Sequence, residues 1–182
     1  MTLYILSGCP ASGKSTFGKK MSKITGIPIV SRDEIRFSLL KDDEDYFSHE
    51  EDVFTLFIRA IKENLLNVGY CIADATHITT AARMKLIHSL GISKNNLVIE
   101  VISMKTPLTT CIARNDKRTG REKVPYNTLC SMYRKSQEFD SVEILRYYDG
   151  MFIVTEDGET IYKEVKYSKL IPVQITDFPD RI

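Results

Sequence analysis

Apolar residues come along this chain in two rhythms. Short β-rich runs, TLYILS (Thr2–Ser7), PIV (Pro28–Val30), YCIADA (Tyr70–Ala75) and NLVIEVISM (Asn96–Met104), read as strands. Between them the spacing lengthens to the 3.6-residue period of amphipathic helices, clearest at Val53, Phe54, Phe57, Ile58, Ile61 and Leu65. Further helices are predicted from Lys14 to about Ile24, from Thr79 to about Leu90, from Pro107 to about Arg118, and around Leu129, Met132 and Tyr133. Ser31 followed by Glu34 is a capping box that starts one more. The polar stretch Lys41 to Ser48 predicts a mobile loop. MFIVTEDGETIYKEV predicts a β-hairpin over about 150–166, turning at Asp157-Gly158.

Strands alternating with helices predict an α/β fold, a mostly parallel sheet with helices on both faces, ending in the C-terminal β-hairpin. No linker or repeat interrupts residues 1–182, which points to a single domain. The hairpin is open to three uses: an added edge, a flap, or an interface that would make a homo-oligomer.

Composition narrows the class. With 43% apolar and 27% charged residues the chain is an ordinary globular domain. It lacks the run of roughly 20 apolar residues that a membrane helix needs, and MTLYILSG lacks a basic flank, so a cytoplasmic protein is expected. The four cysteines form no CxxC pair, which argues for free thiols rather than a metal site. Net charge is +1, but it is unevenly spread. Acidic residues crowd the stretch from Asp42 to Asp52, and basic ones the stretch from Arg114 to Lys135.

The strongest chemical signal is GCPASGKST, comprising Gly8, Cys9, Pro10, Ala11, Ser12, Gly13, Lys14, Ser15 and Thr16. Gly-x4-Gly-Lys-Ser between a strand and a helix is the Walker A pattern of P-loop proteins. Its backbone N–H groups converge on phosphate oxygens, Lys14 reaches the β- and γ-phosphates, and the Ser15 hydroxyl ligates Mg²⁺. ATP and Mg²⁺ are therefore the expected donor and cation.

SRDEIR places Asp33 in a first helical turn, where the macrodipole favours its anion, with Arg36 on the same face. Asp33 is thus a candidate base for an acceptor hydroxyl, and Arg36 a candidate clamp for an acceptor phosphate. An ion pair on a surface helix is the structural alternative. Asp74, at the end of a strand, is a candidate for the acceptor hydroxyl or the Mg²⁺ shell, or else a turn cap. His77 follows as a weaker candidate for the acceptor site. Arg114 and Arg118 lie at i,i+4 before a loop broken by Gly120 and Pro125, which predicts a closing lid over about 115–126. Arginines there can neutralise charge on the transferring phosphoryl group, or simply form a solvated basic helix.

Taken together, GCPASGKST, SRDEIR, DAT and ARNDKRTGREKVPYNTLCSMYRK resemble the phage-type 5′-polynucleotide kinases of the P-loop kinase superfamily. That resemblance spans about residues 3–135 and implies transfer of the ATP γ-phosphate to the 5′-hydroxyl end of DNA or RNA. It implies Asp33 as general base, Lys14 and Arg118 as catalytic cations, Arg114 and Arg118 on the donor, and Arg36 on the acceptor's 3′-side phosphate. Asp74 would then belong to the acceptor site or the metal shell. His77 stands where an amide is the expected residue of the family, and with no DxDxT motif in these 182 residues a fused 3′-phosphatase is not expected. A kinase for a small hydroxylated acceptor, such as a nucleoside, sugar or antibiotic, is the alternative.

Overall fold

The computed structural model describes residues 1–136, 138–157, 159–164 and 170–172. Among them one sheet has the order β2-β3-β1-β4-β5-β6-β7. Its strands are β1 (Thr2–Ser7), β2 (Ile29–Ser31), β3 (Tyr70–Asp74), β4 (Val98–Lys105), β5 (Gly150–Thr155), β6 (Thr160–Glu164) and β7 (Leu170–Pro172). The first five run parallel, and β6 and β7 extend the sheet antiparallel. This is the mostly parallel α/β sheet that the alternation of patterns predicts.

Burial on both faces explains why β1 is apolar throughout. Leu3 and Ile5 point into one core with Phe57, Ile61, Leu65, Leu86 and Leu90, while Tyr4 and Leu6 point into the other with Met21, Ile72 and Phe152. The first core is roofed by α3 (Glu50–Asn67) and α4 (Thr80–Leu90), the second by α1 (Lys14–Thr25). At Gly18 a Cβ would lie 2.7 Å from Leu6 Cδ1 and 2.9 Å from Ile29 Cδ1, so α1 is seated directly on the sheet.

Around these stand α2 (Arg32–Leu39), α5 (Leu108–Asp116), α6 (Tyr126–Lys135) and α7 (Ser141–Tyr147). Three details differ from the sequence pattern. The hairpin's first arm is the fifth parallel strand of the sheet; its Gly158 and residues 165–166 lie outside the described residues. The predicted capping box forms only in part: Ser31 accepts the Glu34 N–H at 3.3 Å, but the Glu34 carboxylate pairs with Lys19 at 2.8 Å. The third is α7, a short helix that the periodicity does not announce, capped by Asp140, whose Oδ1 accepts from Val142 and Glu143 N–H.

α7 delivers Glu143 into the interior, opposite Arg83 of α4. Arg83 is fully buried and donates to Glu143 Oε1 and Oε2 at 2.5 and 2.8 Å, and to the His77 carbonyl at 3.0 Å. Its guanidinium stacks 3.9 Å from the centroid of Phe139. Burial alone would push the Glu143 carboxyl up, yet hydrogen bonds from Arg83, Tyr148 and Thr80 outweigh it and hold the group below its ordinary value. Such a pair gives little net stability but is costly to break, since the survivor is a buried lone charge. Glu143→Ala should therefore lower unfolding free energy by about 3–5 kcal/mol, measured by urea denaturation.

Candidate active site

Three adjacent strands end together, and this is what gathers the site. Asp74, the last residue of β3, is in register with Leu6 of β1 on one side and Ser31 of β2 on the other. The loop from Gly8 leaves β1 at that edge, and Asp33 follows β2 in the first turn of α2. Ligands of open parallel sheets bind at this edge, beyond the strand C-termini.

The Gly8–Gly13 loop is held from several directions. Gly8 N–H donates to the Thr76 carbonyl at 2.9 Å, and Thr106 Oγ1 donates to the Ser12 carbonyl at 2.8 Å. Ala11 (φ 62°) and Gly13 (φ 99°) both adopt left-handed backbone, which Gly13 tolerates and most residues resist. A Cβ at Gly8 would meet Ser12 Oγ at 2.6 Å and Met104 Cβ at 2.9 Å. Among the described residues no side chain caps the start of α1, and buried Ser12 Oγ has no partner. These donors fit the phosphates of ATP. Pro10 is buried within the loop and Thr16 is exposed on the first turn of α1. Burial foremost, then Cys111 nearby, pushes the Cys9 thiol up to about 11, so it stays protonated and inert.

Lys14 is almost wholly buried, and desolvation draws its ammonium below the ordinary lysine value against the opposing pull of Asp74 and Asp33. Asp74 is 3% exposed; burial pushes its carboxyl up, while Lys14 and a hydrogen bond from Ser15 oppose the shift. Among the described residues its Oδ1 has no hydrogen-bond partner. A buried, unpartnered carboxylate oxygen beside the Ser15 hydroxyl suits Mg²⁺, a hard cation that prefers oxygen.

Asp33 lies at the mouth of this cleft with its side chain 59% exposed, near enough to act electrostatically on both Lys14 and Asp74. Its Oδ1 accepts from the Tyr46 hydroxyl at 2.7 Å. Arg36 is placed differently from the open clamp that its position in SRDEIR suggests. It is 4% exposed, and its Nη1 donates to Glu50 Oε2 at 2.5 Å and to the Tyr46 carbonyl at 3.3 Å. Asp33 Oδ1 is 3.9 Å from Arg36 Nε. Glu50 wins because it meets the guanidinium in a partly buried setting.

His77 is buried too, at φ 41°, against Phe57. Its Nδ1 is 2.9 Å from the Leu6 carbonyl and must carry the hydrogen, since a carbonyl only accepts. Burial foremost holds the ring down at about 4, so it is neutral at physiological pH. Ser7 Oγ and Arg83 both donate to its carbonyl. His77 thus braces the turn after Asp74 from within the protein.

Arg114 Nη1 donates to the Ser12 carbonyl at 3.2 Å, which sets it on the phosphate loop. α5 ends at Asp116, so Arg118 lies just beyond it, where its charge acts on Lys14 and its Nη1 donates to the Glu122 carbonyl at 3.4 Å. The basic loop is clasped by Asn115, whose amide donates to the Val124 carbonyl at 2.7 Å and accepts its N–H at 3.0 Å. Arg121 donates to the Lys41 carbonyl, so the loop also touches the far side of the cleft. Tyr46 and Glu50 are hard to single out in the sequence, because a non-periodic loop and an acidic helix start resemble solvated surface. The aromatic pair Tyr46-Phe47 within an acidic stretch was the available signal.

This fold and this loop are those of the P-loop kinases. Residues 3–138 match the family described as AAA domain, and the chain belongs to it. It is 32% identical over 170 residues to an L-seryl-tRNA(Sec) kinase of Methanococcus maripaludis, a match covering 90% of this chain and 62% of that protein. The chain therefore spans about three-fifths of that relative. A Janibacter sugar kinase superposes with a TM-score of 0.60 at 13% identity, covering 86% of each chain. A chain of a Pnkp1/Rnl/Hen1 RNA repair complex gives 0.60 at 22% identity, covering 76% of this chain and 46% of the other. Identities this low show a shared fold. Among the described residues no helix is long and apolar enough to cross a membrane.

His77 supplies a pH prediction. The unfolded side chain binds a proton near 6.5 and the folded one only near 4, so stability falls as pH drops through that window. About 2 kcal/mol should be lost to this group between about pH 7 and 5, read from denaturation curves. His77→Asn, which tolerates the left-handed backbone, should remove that part of the slope.

Proposed function

We propose that this chain transfers the γ-phosphate of ATP to the alcohol hydroxyl of a compact acceptor: a nucleoside, a sugar, an antibiotic, or the hydroxymethyl group of a seryl unit. The observation that carries this reading is the contrast at the cleft mouth. Asp33 is open to solvent beside Lys14 and Asp74, whereas the adjacent cation Arg36 is sequestered by Glu50. A hydroxyl has a base to meet, while an acceptor phosphate would have to displace the Glu50 carboxylate from Arg36. The seryl-tRNA(Sec) kinase and sugar kinase likenesses favour the same acceptor class.

In this reading the acceptor hydroxyl donates to Asp33 and its oxygen attacks the γ-phosphorus. The bond to the bridging oxygen breaks, the proton passes to Asp33, and ADP leaves. Lys14 and the loop N–H groups hold the donor phosphates, and Arg118 neutralises charge on the transferring group. Mg²⁺, held by Ser15 and Asp74, would draw charge from the phosphate oxygens. A weak base suffices because the transition state is loose and positioning supplies most of the acceleration.

Transfer to the 5′-hydroxyl of DNA or RNA is the second reading, favoured by the motif resemblance and the basic stretch from Arg114 to Lys135. γ-Labelled ATP offered with nucleosides, sugars, serine, seryl-tRNA and 5′-hydroxyl oligonucleotides separates the two. Label should enter a compact or seryl acceptor and leave the oligonucleotides unmarked; labelled oligonucleotides would reverse the order. Asp33→Asn should cut kcat by about 10²–10⁴ with ATP affinity within about twofold. A near-normal rate would remove Asp33 from the chemistry. Arg118→Ala should cost about 10³ in kcat, with little change in KM for ATP.

A further inference from the structure

Asp33 has two carboxylate oxygens, and the structure treats them differently. Oδ1 accepts the Tyr46 hydroxyl at 2.7 Å, whereas among the described residues Oδ2 makes no hydrogen bond. We propose that Tyr46 is a positioning residue for phosphoryl transfer, fixing Oδ1 so that Oδ2 is the oxygen presented to the acceptor hydroxyl. The inference rests on Asp33 being the base.

The phenol suits this task. Burial foremost, reinforced by the charge and hydrogen bond of Asp33, pushes its pKa up to about 12. At any working pH it donates and never competes as an anion. A phenol also cannot take up the proton Asp33 gains, so the acceptor's proton stays on the carboxylate.

Tyr46 is itself held. Its ring packs 4.4 Å from the Arg36 guanidinium and meets Phe37 and Phe47 edge-on, with centroids at 6.2 and 4.9 Å. Arg36 also donates to the Tyr46 carbonyl, so backbone and ring are gripped by one side chain. Glu50, at the start of α3, fixes Arg36 through Oε2 and Arg32 through Oε1. The order of contacts runs Glu50, Arg36, Tyr46, Asp33. Arg36 thereby gains a role that needs no exposure: it locks the tyrosine that orients the base. The stretch 41–48, expected as a mobile loop, is packed through Tyr46 onto α2 for the same reason. A carboxylate on a half-exposed first turn otherwise rotates freely about its χ angles, and a displacement of about 1 Å in a reacting group costs on the order of 10² in rate.

Tyr46→Phe keeps the ring on Arg36 and removes only the hydroxyl. The expected result is a fall in kcat of about 10- to 100-fold, with KM for ATP within about twofold and the thermal midpoint within about 2 °C. Adding Tyr46→Phe to Asp33→Asn should change the residual rate by less than about twofold, because the phenol acts through the carboxylate. Wild-type or raised turnover in Tyr46→Phe overturns the proposal. So does a loss that follows a lowered melting temperature, or an equal further loss in the Asp33→Asn background. If Asp33→Asn alone keeps near-normal turnover, the reading of Asp33 as base fails first, and that result is separate from anything Tyr46→Phe shows.

Discussion

Lys14 and Asp74 share a space from which water is largely excluded, and most of the site is arranged around that fact. Desolvation weakens the charged form of each, and each partly restores the other. The pair is incomplete, since among the described residues Asp74 Oδ1 is left without a donor and the Ser12 hydroxyl without a partner. Buried polar atoms seldom stay unsatisfied, so this edge of the sheet favours a polyanion with its cation. The strands create the condition by ending together, and α1 and the loop before it supply the donors that meet it.

Much of this was legible in the sequence. Apolar strands buried on both faces, and a helical stripe through Phe57 and Ile61, leave few architectures open, and Gly8 to Ser15 states the donor chemistry almost by itself. Asp33 and Asp74 were legible because they follow strands whose ends must meet the loop. What could not be read was which charged groups pair inside. Arg36 looks like an available cation until Glu50, fourteen positions on, is folded against it. His77 looks like a site histidine until its ring is found against the Leu6 carbonyl. Arg83 and Glu143, sixty residues apart, carry no local pattern at all, and α7 is too short to show a period.

Sequestering Arg36 also bears on the acceptor. The motif SRDEIR is compatible with a phosphate-binding arginine, yet the same six residues can serve a different partner when an acidic helix follows. Glu50 makes that difference here. In the proposed reading, the choice between gripping an acceptor phosphate and bracing the base turns on a single neighbouring carboxylate. The fold would then supply the donor half of the reaction, and the α2–α3 connection the acceptor half.

Gly18 has a mechanical consequence. A Cβ there would crowd the ends of Leu6 and Ile29, so α1 and the donor cradle it begins are seated close on the strands beneath. The basic loop after α5 and the stretch after α2 make their contact away from that seat, where Arg121 reaches the Lys41 carbonyl.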